Sequence, residues 1–333
     1  MYKAVDHLYG YDIFHDDIMN TLIDNERNGT NANTYIFEGV KGLRTYEAAL
    51  LFAKALVCNN PASAPCCNCS SCTEAQAGVH PDIVFVNREK DRASLGVNPI
   101  RDMITECMIK PFYNHHKVFI IKEGDLLTTE AQNAFLKIIE EPPEYAVFII
   151  ICSNAEILLE TVRSRAITVS FTPVSDAAVR RYIENKYPDE PRIDFLVKYC
   201  SGIPEAADDV ILREDFEELR DDVLNLVPKI LSQKKIYAFD VADYFEKNKA
   251  IAAELYDMLL MYLRDALITC MGTPDKIVNT DKSDKINILA STYPQELIAC
   301  AIDEIITSRQ MLDRYVKASA TALHAALKTR KSY

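Results

Sequence analysis

The chain has 333 residues, 49% of them hydrophobic and 26% charged, with a formal net charge of −12. That composition is ordinary for a soluble globular protein of two or three domains, and no apolar run approaches the roughly 18 residues of a membrane helix. The acidic balance excludes a chain that clamps nucleic acid unaided, because phosphate contacts require local positive potential, so any DNA contact is shared or local.

The N-terminus Met1-Tyr2-Lys3-Ala4-Val5-Asp6 lacks a signal-peptide core, and a cytoplasmic chain is expected. The run Tyr35-Ile36-Phe37 predicts a buried strand and Glu47 to Val57 an apolar helix, with a glycine turn between them. This is the context of a phosphate-binding loop, in which glycines let backbone N–H groups wrap phosphates, a lysine neutralises them and a hydroxyl holds Mg²⁺. Aligned without a gap from Gly39, however, Arg44 replaces the second glycine, Thr45 the lysine and Tyr46 the hydroxyl residue. With a loop one residue shorter, beginning at the same Gly39 and passing through Gly42, Arg44 stands for the lysine and Thr45 for the magnesium hydroxyl. In that register nucleotide binding stays open.

Five of the ten cysteines follow within fifteen residues: Cys58, Cys66, Cys67, Cys69 and Cys72. Cys66-x₂-Cys69-x₂-Cys72, with Cys58 from the helix end, can supply four thiolates to a tetrahedral zinc ion and leave no open position for catalysis. An iron–sulfur centre and a disulfide pair are the alternatives, the latter disfavoured in a reducing compartment. Cys67 is a spectator or a replacement for Cys66. The isolated Cys107, Cys152, Cys200, Cys270 and Cys300 are expected as small core residues.

Asp82 to Val86 predicts a strand, Asn98-Pro99-Ile100 opens a helix through Met108, and His116 to Ile121 is a further strand. His115 and His116 are expected to be exposed before it. The strand ends in Lys122, where a nucleotide hydrolase carries the aspartate that holds Mg²⁺, and a cation there repels the metal. Thr128-Thr129-Glu130 caps a helix that Pro142-Pro143 stops, and Ala146 to Ile151, apolar on both faces, predicts a central strand. A helix from about Glu156 to Arg163 leads through Ser164-Arg165-Ala166 to a strand at Ile167 to Phe171. An arginine in that position is an ordinary surface ion-pair partner or an arginine finger, which enters a neighbouring subunit's site and stabilises charge on the transferred phosphoryl group.

Beyond Pro173 strand signals vanish. Short helices are predicted at Asp176 to Lys186, Pro191 to Tyr199 and Glu205 to Ile211, then a wholly helical region with segments at Ala252 to Cys270, Pro294 to Tyr315 and Ala318 to Leu327. The tail Lys328-Thr329-Arg330-Lys331 is expected to be a solvated end. The division is therefore 1–171, an α/β domain with a parallel sheet and a cysteine insertion at 58–72; 172–213, a small helical lid; and 214–333, an all-α domain.

Taken together, these residues resemble the delta-prime family of bacterial DNA polymerase III clamp-loader subunits, relatives of the gamma/tau ATPases. The resemblance rests on Gly39-Val40-Lys41-Gly42-Leu43, the four cysteines, His80-Pro81-Asp82, Pro99-Ile100-Arg101, the block from Leu126-Leu127-Thr128-Thr129-Glu130 through Glu140-Glu141-Pro142-Pro143, and Ser164-Arg165. It implies an AAA+ (P-loop NTPase-like) module with a helical lid and a collar through which subunits assemble. It also implies structural zinc at Cys58, Cys66, Cys69 and Cys72, and at Arg165, with Ser164, a finger acting in trans on an adjacent gamma/tau subunit. Expected partners are gamma/tau, delta, the beta sliding clamp and primed DNA, with no membrane. No ATP/Mg²⁺ hydrolysis is expected of the isolated chain; the alternatives are an active gamma/tau-type ATPase and, in a third class, a zinc hydrolase or redox protein with an open metal site.

Overall fold

The computed structural model describes residues 14–90, 92–113, 116–232 and 234–329. Met1 to Asp6, His115, Arg330 and Lys331 lie outside the described residues. The chain divides into two compact units, one of residues 1–181 with 203–205 and the other of 182–202 with 206–333.

The first unit is built on five parallel strands: β1 (Thr34–Glu38), β2 (Ile83–Val86), β3 (Lys117–Ile121), β4 (Ala146–Cys152) and β5 (Ile167–Ser170), in the order β2-β3-β4-β1-β5. The interleaved helices are α1 (Asp16–Arg27), α2 (Thr45–Leu56), α3 (Ser70–Gln76), α4 (Val97–Cys107), α5 (Thr129–Glu140) and α6 (Glu160–Arg163). Strand residues alternate between the two faces, so each face collects its own core. Phe37, Val118, Ile120, Val147 and Ile149 pack with Phe52 and the other apolar residues of α1 and α2, while Ile36, Phe119, Ile121, Phe148 and Ile150 pack with Phe135 of α5 and Met103 of α4. All seven residues of β4 are buried, as its two-sided apolar sequence requires. This is the α/β domain with a parallel sheet expected from the sequence, and after β5 the described residues form helices and no further strand.

Three local differences have physical causes. The helix expected from Glu156 to Arg163 is two pieces, a 3₁₀ turn at Ala155–Ile157 and α6. Between them Leu158 is extended and 2% exposed, and the Leu159 N–H donates to Gln132 Oε1 at 2.7 Å; burial of one leucine and a long-range hydrogen bond outcompete helix continuity. His116, expected to be exposed, is partly buried with Nε2 3.6 Å from Glu26 Oε2. Thr329, assigned to the solvated tail, is buried and its hydroxyl donates to Ala325 O at 2.9 Å.

In the second unit, α8 (Ile193–Cys200) and α9 (Ala206–Ile211) precede α10 (Phe216–Leu231), α11 (Ile236–Lys247), α12 (Ala252–Cys270), α13 (Ser283–Thr292), α14 (Gln295–Asp313) and α15 (Ala318–Lys328); α7 (Asp176–Lys186) spans the division. Helices α11, α14 and α15 pack together, and α12 lies against α10, α13 and α14. A buried polar network ties these helices to the connection after α12. Arg220 of α10, fully buried, donates to Asp281 and Asn279 and stacks its guanidinium 3.6 Å from the Phe195 ring centroid. Asp265 of α12, also fully buried, accepts from the N–H groups of Val278 and Asn279 and from the Asn279 side chain. Each buried charge is thus neutralised or hydrogen-bonded, the condition for such groups to be tolerated.

Candidate functional site

The glycine turn lies where β1 gives way to α2, at the carboxyl end of the sheet, which is where open α/β sheets bind ligands. The Gly39 N–H donates to Cys152 O at 3.0 Å, and a Cβ there would come 2.6 Å from Thr45 Cγ2 and 3.1 Å from Phe171 O, so glycine is required by close approach. Gly42 has φ +95°, a conformation that L side chains rarely adopt. Arg44 precedes α2 in the left-handed region, φ 58°, and its Nε lies 2.9 Å from Glu205 Oε1. Thr45 is buried.

Facing this turn, the residues at the two gapless magnesium positions meet one another. The Lys122 ammonium lies 4.2 Å from the Tyr46 ring centroid and 4.7 Å from that of Phe85, a cation held on two aromatic faces. The acidic residues that follow have other partners: Glu123 pairs with Arg88 at 3.2 Å, and Asp125 accepts from the Ser153 N–H and hydroxyl at 2.9 Å. His80 and Asp82 of the shared motifs serve the fold. The Asp82 carboxylate accepts from the N–H groups of Phe112 and Tyr113 at 2.7 and 3.0 Å, and the His80 Nδ1 accepts from the Asp82 N–H at 3.0 Å.

The cysteine insertion brings together Cys58, Cys66, Cys69 and Cys72, whose sulfurs all lie within 4.8 Å of one another. A zinc ion with bonds of about 2.3 Å in a tetrahedron needs sulfurs about 3.8 Å apart, so this spacing fits four-thiolate ligation with little closure. The local backbone is arranged to support anionic sulfur. The N–H groups of Asn60 and Cys66 donate to Cys58 Sγ at 3.4 Å, and the Cys72 N–H donates at 3.3 Å to Cys69 Sγ, which caps α3. Hydrogen bonding from the Asn68 backbone pulls the Cys66 thiol down to about 6, whereas burial pushes Cys58 and Cys72 up. Cys67 has φ 61°, is exposed, and directs its thiol to Pro65 O at 3.6 Å, away from the group of four.

Arg165 lies between α6 and β5, at the opposite end of the sheet from the glycine turn. Its Nη1 donates to Thr161 O at 2.9 Å and to Ser164 Oγ at 3.3 Å, while Nη2 pairs with Glu140 Oε1 at 3.1 Å. The guanidinium side chain is 39% exposed, so it is oriented from one side and open on the other. Glu140, the last residue of α5 in the Glu140-Glu141-Pro142-Pro143 block, was not singled out by the sequence, where nothing local pairs it with Arg165.

Residues 14–175 match the family described as "DNA polymerase III, delta subunit", and residues 214–320 the family described as "DNA polymerase III, delta subunit, C terminal". DNA polymerase III subunit delta' of Bacillus subtilis (strain 168) is 29% identical over 316 residues, which cover 93% of this chain and 94% of that protein. The tau subunit of the same organism is 26% identical over 305 residues, covering 84% of this chain and 54% of tau. A solved gamma subunit-related protein of Thermotoga maritima covers 95% of this chain and 99% of its own at 16% identity, with a TM-score of 0.45. With both halves matched and a delta-prime relative aligned almost end to end, the chain belongs to the delta-prime family of DNA polymerase III clamp-loader subunits.

Proposed function

We propose that this chain is a non-hydrolysing clamp-loader subunit that assembles with gamma/tau and delta, supplies Arg165 in trans to a neighbour's ATP site, and helps load the beta sliding clamp onto primed DNA. The observation that carries the first part is Lys122 on the rings of Tyr46 and Phe85. Both residues that would hold Mg²⁺ have been exchanged for a cation and an aromatic ring. Without the metal, charge on the β- and γ-phosphates is not neutralised during transfer. The alternative of an active gamma/tau-type ATPase needs Arg44 on the phosphates and the Thr45 hydroxyl on Mg²⁺. Against it, Arg44 already has a carboxylate partner and Thr45 is buried.

Support for the trans role is the half-exposed guanidinium, oriented by Thr161, Ser164 and Glu140 and unconnected to the chain's own glycine turn. A planar fork held in this way can contact phosphoryl oxygens of a neighbour's nucleotide. The arrangement at Cys58, Cys66, Cys69 and Cys72 fits structural zinc, which would tie the end of α2 to α3 and supply folding energy; four protein ligands leave no position for a hydrolytic water. We assign 1–171 to the AAA+ domain, 172–213 to the lid and 214–333 to the collar.

The purified chain is expected to show no ATPase above background, with or without DNA. Robust turnover abolished by Arg44→Ala or Thr45→Ala would contradict this reading and favour the gamma/tau-type alternative.

A further inference from the structure

We propose that Glu205 and Ile203 form an intramolecular latch that occupies the degenerate phosphate loop, so that the loop is closed by the chain's own carboxylate and not by an exchangeable anion. The proposal rests on the non-hydrolysing reading and adds to it what fills the site. Three observations carry it. First, the Arg44 Nε lies 2.9 Å from Glu205 Oε1, with the two side chains only 12% and 34% exposed. Second, the open side of Gly42, where a glycine in such a loop leaves room for a phosphate oxygen, is covered: a Cβ built there would meet Ile203 Cγ2 at 2.5 Å and Glu205 Cβ at 3.5 Å. Third, residues 203–205 group with residues 1–181, although the residues on either side of them, 182–202 and 206–333, belong to the other unit. Ile203 packs against the apolar core that holds Leu43, Ala48 and Phe52. The backbone prepares the insertion, since Ser201 and Gly202 are two successive left-handed residues after α8.

The physical consequence is competition. A carboxylate tethered to its partner by the fold acts at an effective concentration of millimolar or more, so a free anion has to displace it as well as bind. Arg44 is the cation a phosphate would need, and Glu205 neutralises it first. The latch also makes the order of residues 203–205 independent of nucleotide, which suits a subunit whose own site does not cycle.

Inorganic pyrophosphate, free of magnesium, is titrated into the full chain by calorimetry. The wild type is expected to bind weakly, Glu205→Gln at least roughly tenfold more tightly, and Arg44→Ala/Glu205→Gln no better than the wild type, as expected for removal of a competing charge. A Glu205→Gln variant with unchanged affinity, or a gain that survives loss of Arg44, would overturn the latch. Should Glu205→Gln fail to fold, Arg44→Glu/Glu205→Arg serves as the second arm: it is expected to melt above both single variants, and a double variant no more stable than either would equally overturn the proposal. ATP turnover recorded on the same wild-type sample separates the two readings, because hydrolysis would count against the non-hydrolysing assignment and leave the pyrophosphate result to decide the latch.

Discussion

Glu26 of α1 is 7% exposed and accepts a hydrogen bond from the Asn31 side chain, yet burial outweighs that bond and raises its carboxyl to about 6 from an ordinary 4.5. The folded chain therefore holds a proton that the unfolded chain releases, and the contribution of Glu26 to stability falls as pH rises between about 4.5 and 6. The loss is about 2 kcal/mol, and it is complete above that window. Glu26→Gln is expected to remove this slope and to be the more stable chain at pH 7, measured by urea unfolding at pH 4.5 and pH 7. A difference between the wild type and Glu26→Gln that does not change over this window would contradict the assignment. Other residues were legible directly from the sequence. The place of Lys122 directly after β3 could be read from the sequence alone, whereas its seat on the rings of Tyr46 and Phe85 could not. The partners of Arg44 and Arg165 could not, since Glu205 and Glu140 are far from them in the chain and only folding brings them near.

Among the elements, the strands were the most legible. Each of β1 to β4 is a short apolar run bounded by turn residues, and the double-sided burial of β4 follows from having no polar face to turn outward. Helix α1 was missed because its apolar stripe, Ile18, Met19, Leu22 and Ile23, is short and set among Asp and Asn residues that individually favour turns. That Cys58, Cys66, Cys69 and Cys72 come together was legible from their spacing, but the role of Cys69 as the cap of α3 was not. That double duty sets the prediction. Under the proposed zinc ligation, Cys69→Ala removes a sulfur ligand and a helix cap together, and the purified variant is expected to lose the one equivalent of zinc expected of the wild type and to unfold with several kcal/mol less stability. Metal analysis and thermal unfolding check it; a variant that retains stoichiometric zinc would contradict four-cysteine ligation.

At the scale of the whole molecule, periodicity placed the α/β region before the helical region, and the structure divides the chain into two units, with residues 203–205 belonging to the first. That assignment had no sequence signal, because Ser201-Gly202-Ile203-Pro204 announces a turn and nothing more. On the proposed function, the chain has given up its own phosphate chemistry and kept a guanidinium for a neighbour. The most direct measurement is ATP turnover by the complex reconstituted with gamma/tau and delta subunits, carrying either the wild-type chain or Arg165→Ala. Both chains are expected to assemble equally, and Arg165→Ala to slow hydrolysis at the adjoining gamma/tau site by roughly 10³-fold or more. Equal turnover in fully assembled complexes would contradict it and leave Arg165 as the surface partner of Glu140 alone.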